Sequence, residues 1–578
     1  MRRLLLLFLL CTCVSALPGQ DVEGFFGDIR KRIRERDFVN FAGGASLNLG
    51  YNSFVAFDPG AFPRQPQFNF GANANLNVDL MGIDLPFNVA YSNRNTLYNL
   101  PSYSFVGLSP TYKWITLHGG DRSLSFSPYS LSGVNFTGGG VELKPGKWYV
   151  AGMHGRLRRA RIQDAGSIQN IETPFRRMGT GFKAGYDDGG GTTLLASWFN
   201  STDEIDRPDL IDTLGRDRPE RNMVLTLRGS KQLTKFLRVE GEWGRSVLSR
   251  DNRVPASADP DGAARLFGLF SPNGTSTAAD AYQFGINLTP GFGDINLRYE
   301  RIDPEYRTHG ALFFQNDVEN VTAGCSAPFL EGKLTLATNL GVQRNDIENQ
   351  SAASNRRFIG SLGLTYAVSQ RVQTNFNFSN FTTTNRLKAI AQNNLLVDSV
   401  VLAQTQQAVD FGATFLLDPA GSHTLLFSTA YQRANLIRNE EVDLGQANDF
   451  GMVMLSYAYS PAEGKSTLSA TLLGHRNESR DLNLTMLGPS LGYQRRLGED
   501  KASVGLNLGY QIAWTALPSL PDIDATSDGV LTGGVTGSYA ITKKQNVSLT
   551  GNLVRAGGGT ARPGYRDFQV GLAYGYSF

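Results

Sequence analysis

The chain has 578 residues, of which 41% are hydrophobic, and a formal net charge of +3. A balance this close to neutral argues against a nucleic-acid partner, which would require an excess of Lys and Arg. Beyond the amino terminus, the apolar runs fall well short of the ~20 residues that a membrane-spanning helix needs. The 64 Gly, 35 Phe and 21 Tyr instead suit a protein of many twisted strands with aromatic belts.

The first residues, 1–19, have the features of a secretory signal peptide. A basic pair at 2–3 precedes an apolar run at 4–10 and a small-residue cleavage site at 14–16. Two of the three cysteines lie inside this segment, so that the mature chain keeps Cys325 alone. The exported protein is therefore expected to have no internal disulfide.

Residues 20–37 are predicted to form an amino-terminal segment in the periplasm. Phe25, Ile29 and Ile33 lie four residues apart among several basic residues, which is the spacing of a short amphipathic helix. Two interpretations stay open. The segment is either a solvated basic leader, or a helix that docks into the mouth of the following domain or onto a partner.

The first clear hairpin covers residues 67–91. From Phe68 to Leu80 the even positions are apolar and the odd positions are Asn, Gly or Asp; the phase switches after a tight turn at Met81 and Gly82. Strand side chains alternate between faces, so one face of this hairpin is lined with amides. A dry core cannot satisfy so many amides, whereas a water-filled lumen can. The hairpin therefore favours a transmembrane barrel over a soluble sandwich.

The same unit recurs through residues 38–578: about ten alternating residues, a tight turn, ten more and a longer polar loop. The repeat predicts an all-β fold, a single transmembrane antiparallel up-and-down β-barrel of about 24–26 strands. Its first strand, near Val39 to Phe54, is expected to pair with the last. Short connections are expected on the periplasmic side. The longest connections are expected outside the cell, near 200–221, 247–279, 382–404, 434–446 and 514–529.

Charged residues of both signs occupy the inward-facing positions of two predicted hairpins. They are Arg238, Glu240, Glu242, Arg298 and Glu300. Opposite charges on neighbouring strands stabilise each other across a sheet. These lumen charges are therefore predicted to form a cross-strand network rather than a selectivity filter.

A cluster of potential cations flanks one predicted outer loop. Its members are His154, Arg156, Arg158, Arg159, Arg161, Arg176 and Arg177. Such a patch could bind lipopolysaccharide phosphates at the rim, or an anionic solute at the pore mouth. The alternative is a set of solvated charges that Asp164 and Glu172 balance.

An open barrel of this size would compromise the permeability barrier, since 16–18 strands already leave an aqueous channel. The segment 21–37 and the loop 247–279 are the predicted occluding elements. That loop carries four apolar side chains that are costly to leave in water: Leu266, Phe267, Leu269 and Phe270. They are predicted to form a lumen constriction. A partner protein that plugs the lumen is the alternative.

The sequence indicates no catalytic residue, metal site or cofactor. The five histidines, His118, His154, His309, His423 and His475, are scattered without metal-ligand spacing. His118 and His154 fall near predicted outer strand ends, but the sequence assigns no Ser, Asp or Glu partner to them. An enzyme is therefore ranked behind the other functions.

The last strand carries apolar and aromatic side chains at alternate positions: Phe568, Val570, Leu572, Tyr574, Tyr576 and Phe578. With the signal peptide and the hairpin repeat, it resembles the carboxy-terminal Phe signal of bacterial outer-membrane barrels, and the composition resembles that of large barrels of the Bacteroidota. The resemblance implies an outer-membrane location, contact with lipid and lipopolysaccharide, and recognition by the barrel-assembly machinery. The lack of a separate plug domain argues against a TonB-dependent receptor.

Two classes of function follow. The first is a transport pore or gated channel whose lumen is occluded by loops, the amino-terminal segment or a partner. The second is a structural or interaction barrel that scaffolds a partner complex in the outer membrane.

Overall fold

The structure is a computed structural model, and it describes residues 39–578 with internal gaps. The gaps are 62, 64–65, 81–82, 93–105, 160–174, 205–217, 258–262, 313, 352, 388–389, 393–394, 398–399, 439–440, 462–463, 499, 559–562 and 578. The predicted signal peptide and the segment 20–37 lie outside the described residues. The described residues contain no helix that is long and apolar enough to cross a membrane.

The described part of the chain forms 26 antiparallel strands in one sheet, with the fourth strand interrupted at Ser109 and Pro110. The first thirteen are β1 Val39–Ala56, β2 Phe68–Leu80, β3 Ile83–Ser92, β4 Val106–Leu108 with Thr111–Tyr112, β5 Ile115–Ser123, β6 Asn135–Leu143, β7 Trp148–Arg158, β8 Arg176–Asp187, β9 Thr192–Glu204, β10 Arg221–Thr234, β11 Leu237–Ser249, β12 Ser276–Leu288 and β13 Asp294–Ile302. The others are β14 Val318–Phe329, β15 Leu334–Asn345, β16 Ala353–Ser369, β17 Val372–Leu387, β18 Val400–Leu416, β19 His423–Arg438, β20 Glu441–Tyr459, β21 Ser466–Ser479, β22 Asn483–Leu497, β23 Ala502–Ala516, β24 Thr526–Thr542, β25 Gln545–Ala556 and β26 Tyr565–Ser577.

The sheet closes on itself because β1 pairs with β26. Their register runs from Gly44 opposite Ser577 to Ala56 opposite Tyr565. All other barrel strands pair with their neighbours in sequence, so every strand is hydrogen-bonded on both sides. The predicted all-β up-and-down barrel and its strand number are confirmed.

Connection length differs between the two ends of the barrel. At one end, the short-turn end, hairpins close within a few residues, as between β24 and β25. At the other, the long-loop end, consecutive strands are further apart in the chain: β9 ends at Glu204 and β10 begins at Arg221, and β11 ends at Ser249 and β12 begins at Ser276. Outer-membrane barrels have short periplasmic turns and longer extracellular loops, which assigns the short-turn end to the periplasm.

Two predicted loops are largely strand instead. At 382–404, β17 and β18 continue their ladder as far as Leu387 opposite Val400, and Ile390–Gln392 pairs with Leu395–Val397. The sequence suggests a long connection at 434–446, but β19 and β20 continue their ladder through it, with Leu436 opposite Asp443 and Arg438 opposite Glu441. A bulge between Ala434 and Leu436 interrupts the alternation of inward and outward side chains at that point. A strand with a broken alternation is not recognised from a two-residue period in the sequence.

The barrel wall separates an apolar outer face from a polar inner one. On β23 the outward side chains include Leu506, Leu508 and Tyr510, which are exposed, and the inward residues between them are Asn507 and Gly509. So many exposed apolar side chains on one surface are stable only if lipid covers them. A closed barrel with this exterior is an outer-membrane barrel.

We expect cysteines at Asp522 and Lys543, which flank β24 at opposite ends, to be labelled from opposite sides of the membrane. In a Cys325→Ala background, a membrane-impermeant maleimide should modify Asp522→Cys on intact cells. Lys543→Cys should react only after the outer membrane is permeabilised. Labelling of Lys543→Cys on intact cells would reverse the orientation.

Candidate functional site: a lumen with two unlike walls

Two loops from the long-loop end fold back into the lumen. Inner loop 1, residues 124–134, joins β5 to β6, and inner loop 2, residues 303–317, joins β13 to β14. Tyr129, Leu131 and Tyr306 on these loops are 1%, 0% and 0% exposed. The inner loops therefore fill the space on the inner side of β6–β14, which we call the covered wall.

The two inner loops are bonded to each other. Leu131–Ser132 pairs in parallel with Gly310–Ala311. The Tyr306 hydroxyl donates to the Tyr129 carbonyl at 2.8 Å, and Thr308 Oγ1 donates to the Ser130 carbonyl at 2.6 Å. Parallel pairing between segments so far apart in sequence makes the two loops one structural unit.

Glycines make room for this unit. A Cβ on Gly244 of β11 would lie 2.9 Å from the Tyr306 hydroxyl and 3.1 Å from Tyr129 Cβ. A Cβ on Gly310 would lie 2.2 Å from the Ser130 carbonyl oxygen. Any other residue at these positions would push the inner loops away from each other or from the wall.

Apolar packing attaches the inner loops to the covered wall in two clusters. The first comprises Leu124, Phe126, Leu131, Val134, Phe136, Ala151, Met153 and Phe199. The second comprises Tyr129, Val224, Ala279, Ala281, Ile302, Tyr306 and Val318. Both clusters join loop side chains to inward side chains of several strands, so the loops are packed as a small core inside the barrel.

The predicted lumen charges lie on the covered wall, next to inner loop 1. Ser127 Oγ donates to Glu242, which is 4% exposed, and the Tyr129 hydroxyl donates to Glu300 Oε1 at 2.8 Å. Arg298 Nη2 lies 3.3 Å from Glu240 Oε1. Arg238 is separate from these carboxylates and donates to Ser230 Oγ at 2.7 Å. The carboxylates thus hold the loop in place, in addition to pairing across strands.

A second polar network lies nearer the long-loop end. Arg177 donates to both carboxylate oxygens of Asp203, at 2.6 and 2.8 Å, and to Glu220 Oε2 at 3.0 Å. His309 of inner loop 2 reaches the same Glu220 oxygen through Nε2 at 3.1 Å. Bidentate, buried pairs of this kind are strong and geometrically specific.

Charge states in this network follow from burial and hydrogen bonding. Burial lowers the pKa of His309, so its ring is neutral at pH 7. Burial alone would raise the pKa of Glu220, but the hydrogen bond from His309 and the charge of Arg177 lower it. A neutral ring donates through Nε2 and accepts through Nδ1, where Ser201 Oγ lies at 2.8 Å.

Two Ser–His–Glu chains occur on this side of the barrel. One is Ser201–His309–Glu220, and the other is formed by Ser109, His118 and Glu142. In both, the hydroxyl meets Nδ1 and the carboxylate meets Nε2, the reverse of a serine-hydrolase triad. Ser201 is fully buried, so the chains tie segments together rather than present a nucleophile. Among the described residues no group of His, Cys, Asp and Glu is arranged to hold a metal ion.

The predicted basic patch is divided between the two faces of the wall. Arg158 and Arg177 point inward to Asp203. Arg176 points outward to Glu204, at 3.5 Å. His154 and Arg156 bond to hydroxyls of neighbouring strands, and a register shift beside Arg177 separates the two groups. Arg159 is exposed and Arg161 lies outside the described residues. The cluster is therefore not one anion site.

The predicted constriction residues do not reach the lumen. Leu266 and Phe270 pack against Met223 and Val247, which alternate with inward residues such as Asn222. These partners face outward, so the turn lies on the outer surface of the barrel. Phe267 and Leu269 are exposed there. Residues 265–270 lie outside the barrel because Leu266 and Phe270 pack on outward-facing side chains, and the inner loops occupy the lumen instead.

The remaining wall, β15–β26 with β1 and β2, is open. Its inward side chains are mostly Asn, Gln, Ser, Thr, Gly and Ala. Asn507 and Asn552 are exposed at one level, since both lie opposite Gly534 on the strand between them. Among the side chains that the structure describes on this wall, the charged ones are few: Arg357, Asp410, Arg496, Asp528 and Asp567. We call this surface the open wall.

Sequence reasoning missed both inner loops. Loop 124–134 contains four apolar side chains in one connection: Leu124, Phe126, Tyr129 and Leu131. The argument applied to the apolar residues of 247–279 applies equally to these. These apolar residues indicate that the loop packs against the barrel. They do not indicate on which side, because folding inward or outward depends on which residues of the wall the loop contacts.

No protein-family model matches the chain, and a comparison with curated proteins gives no match. Among solved structures, the barrel is similar to a chain of the E. coli P pilus tip assembly intermediate PapC-PapD-PapK-PapG, with 13% identity, a TM-score of 0.44, and coverage of 93% of this chain and 61% of that chain. A variant of the ferric enterobactin receptor PfeA from Pseudomonas aeruginosa gives 12% identity, a TM-score of 0.38, and coverage of 92% and 80%. An outer membrane channel from Pseudomonas putida F1 gives 14% identity, a TM-score of 0.23, and coverage of 39% and 85%. These values support no statement about substrate or mechanism, which must come from the barrel's own side chains.

Proposed function

We propose that the protein is a transport pore that conducts small uncharged hydrophilic solutes along the open wall. The observation that carries this proposal is the contrast between the two walls. Inward side chains of the covered wall, such as Asn222 and Glu242, are buried beneath the inner loops. Inward side chains of the open wall, such as Asn375, Asn507 and Asn552, are exposed.

The chemistry of the open wall suits a neutral solute. Side-chain amides and hydroxyls both donate and accept hydrogen bonds, so they can replace the water around a sugar hydroxyl at little cost. Rings of charged side chains give channels their ion selectivity. The level of Asn507 and Asn552 carries amides instead, and therefore attracts neither cations nor anions strongly.

The inner loops give the pore its size limit. They extend from the long-loop end to Glu242, in the middle of β11, and to Glu300, which lies near the end of β13. Their polar anchors are buried, and their backbones are bonded to each other. We therefore propose residues 124–134 and 303–317, rather than the loop 247–279, as the elements that occlude the lumen.

The purified barrel should swell liposomes faster in glucose than in gluconate, a pair of similar size that differs in charge. It should also conduct in planar bilayers with a reversal potential near zero in a KCl gradient. If the barrel neither conducts nor swells liposomes, the transport proposal fails. The scaffold for a partner complex then becomes the better explanation.

Charge introduced on the open wall should create selectivity. We expect Asn507→Asp combined with Asn552→Asp to shift the reversal potential in a KCl gradient towards that of a cation-selective pore, because both side chains face the solute path. The matched control, Asn507→Ser with Asn552→Ser, should leave the reversal potential unchanged. Equal reversal potentials for both variants would place the path elsewhere.

Loosening the inner loops should widen the pore. Tyr129→Ala with Tyr306→Ala removes two buried rings and the hydrogen bond that the Tyr306 hydroxyl makes to inner loop 1, at about 3–5 kcal/mol for each large side chain. We expect a higher single-channel conductance and passage of larger sugars. The control is Tyr510→Ala, which removes a lipid-facing ring and should not change conductance. Heat-modifiable migration on gels confirms that each variant is folded, and an unchanged conductance in the double variant would show that the inner loops do not limit flow.

A further inference from the structure

A tight turn on the outer surface near the long-loop end has no role in the pore. We call residues 263–270 the rim turn; its 3-10 stretch, Ala263–Gly268, is broken by a kink at Leu266 and Phe267. Two of its apolar side chains, Leu266 and Phe270, are 2% exposed. They pack on Met223 and Val247 of β10 and β11, and the Arg221 guanidinium lies over the Phe270 ring at 4.7 Å.

The other two apolar side chains of the rim turn project away from the barrel. Phe267 is 86% exposed and Leu269 is 54% exposed. The backbone that displays them is strained, since Leu266 and Phe267 have φ values of 41° and 56°, in the left-handed region that bulky residues avoid. Hydrogen bonds from the amides of Leu269 and Phe270 to Leu266 and Arg265, both at 3.1 Å, fix this conformation. Strain that is held in place in this way points to a functional constraint.

The surface beneath the rim turn continues the lipid-facing belt. Trp198 and Leu225 are opposite each other on β9 and β10, and both pack at the edge of the rim-turn cluster. Leu225 is in turn opposite Arg245, which pairs with Asp280 at 3.2 Å on the outer face. A level at which outward Trp and charged pairs occur together is typical of the membrane–water interface. Met223 and Val247, on which the rim turn packs, are the next outward residues after Leu225 and Arg245 on β10 and β11. The rim turn therefore lies at the height of the membrane–water interface.

We propose that the rim turn is a lipid anchor: Phe267 and Leu269 insert among the acyl chains of the outer leaflet, and Arg265 lies beside its phosphate groups. The belt already contacts lipid, and the turn extends that contact without a break. Apolar side chains flanked by a basic residue are the composition of interfacial membrane contacts. The proposal does not depend on what passes through the lumen.

Site-directed spin labelling tests this placement. A nitroxide is attached at Phe267→Cys, and separately at Leu269→Cys, in a Cys325→Ala background. Both side chains are exposed, so neither substitution removes packing from the barrel. Each labelled barrel is reconstituted in vesicles of phosphatidylethanolamine, phosphatidylglycerol and lipopolysaccharide. Power saturation then compares collisions with oxygen, which concentrates in lipid, and with a neutral nickel chelate, which stays in water.

We expect oxygen to be the more effective relaxant at both rim-turn positions. The matched control is Leu520→Cys, an exposed leucine in the loop 517–525 at the same end of the barrel, where the chelate should be the more effective. A water-like result at 267 and 269 would overturn the proposal. So would a label that neither reagent reaches, because a protein partner or a second copy of the chain would then cover the turn. Vesicles without lipopolysaccharide show whether its phosphates contribute.

Discussion

The pairing of β1 with β26 is the contact on which the rest of the structure depends. In lipid there is no water to satisfy a free peptide group, so a sheet can cross the membrane only if it has no edge. Once the sheet is closed, each residue of a strand faces either lipid or lumen according to whether its number is odd or even. Asn222 and Met223 are adjacent in sequence, but their side chains lie on opposite sides of the barrel wall. One is buried under inner loop 2, and the other supports the rim turn.

Closure alone would leave a wide symmetric lumen, and the inner loops make it asymmetric. Apolar burial attracts the loops inward, but ordering so many residues is entropically costly. Specific hydrogen bonds from Tyr129 to Glu300 and from Thr308 to Ser130 therefore fix where the inner loops lie. Because these anchors lie on β6–β14 and their neighbours, the inner loops do not cover the opposite wall. The polarity of the lumen is thus set by where the loops are absent as much as by where they are present.

Period-two alternation predicted the fold well, since it is a local property that each strand carries by itself. It identified the barrel, its strand number and the pairing of the last strand with the first. It failed where the period breaks or where contacts are distant. A register shift beside Arg177 turns Arg158 inward to Asp203, although Arg156 faces outward. The direction in which a loop folds depends on partners up to hundreds of residues away, as Leu266 and Tyr129 show by folding to opposite sides of the same wall.

The bond between the two inner loops also has a consequence for the order of assembly. Tyr306 and Tyr129 are separated by 177 residues along the chain, and the strands between them build the wall on which both loops rest. Contacts over such a separation form late, because the intervening chain must be ordered first. The Ser130 carbonyl and the backbone of Leu131–Ser132 therefore lack their partners on inner loop 2 until β13 is in place. We expect the narrowing of the lumen to be a late step of folding, after a stage in which the barrel is wider.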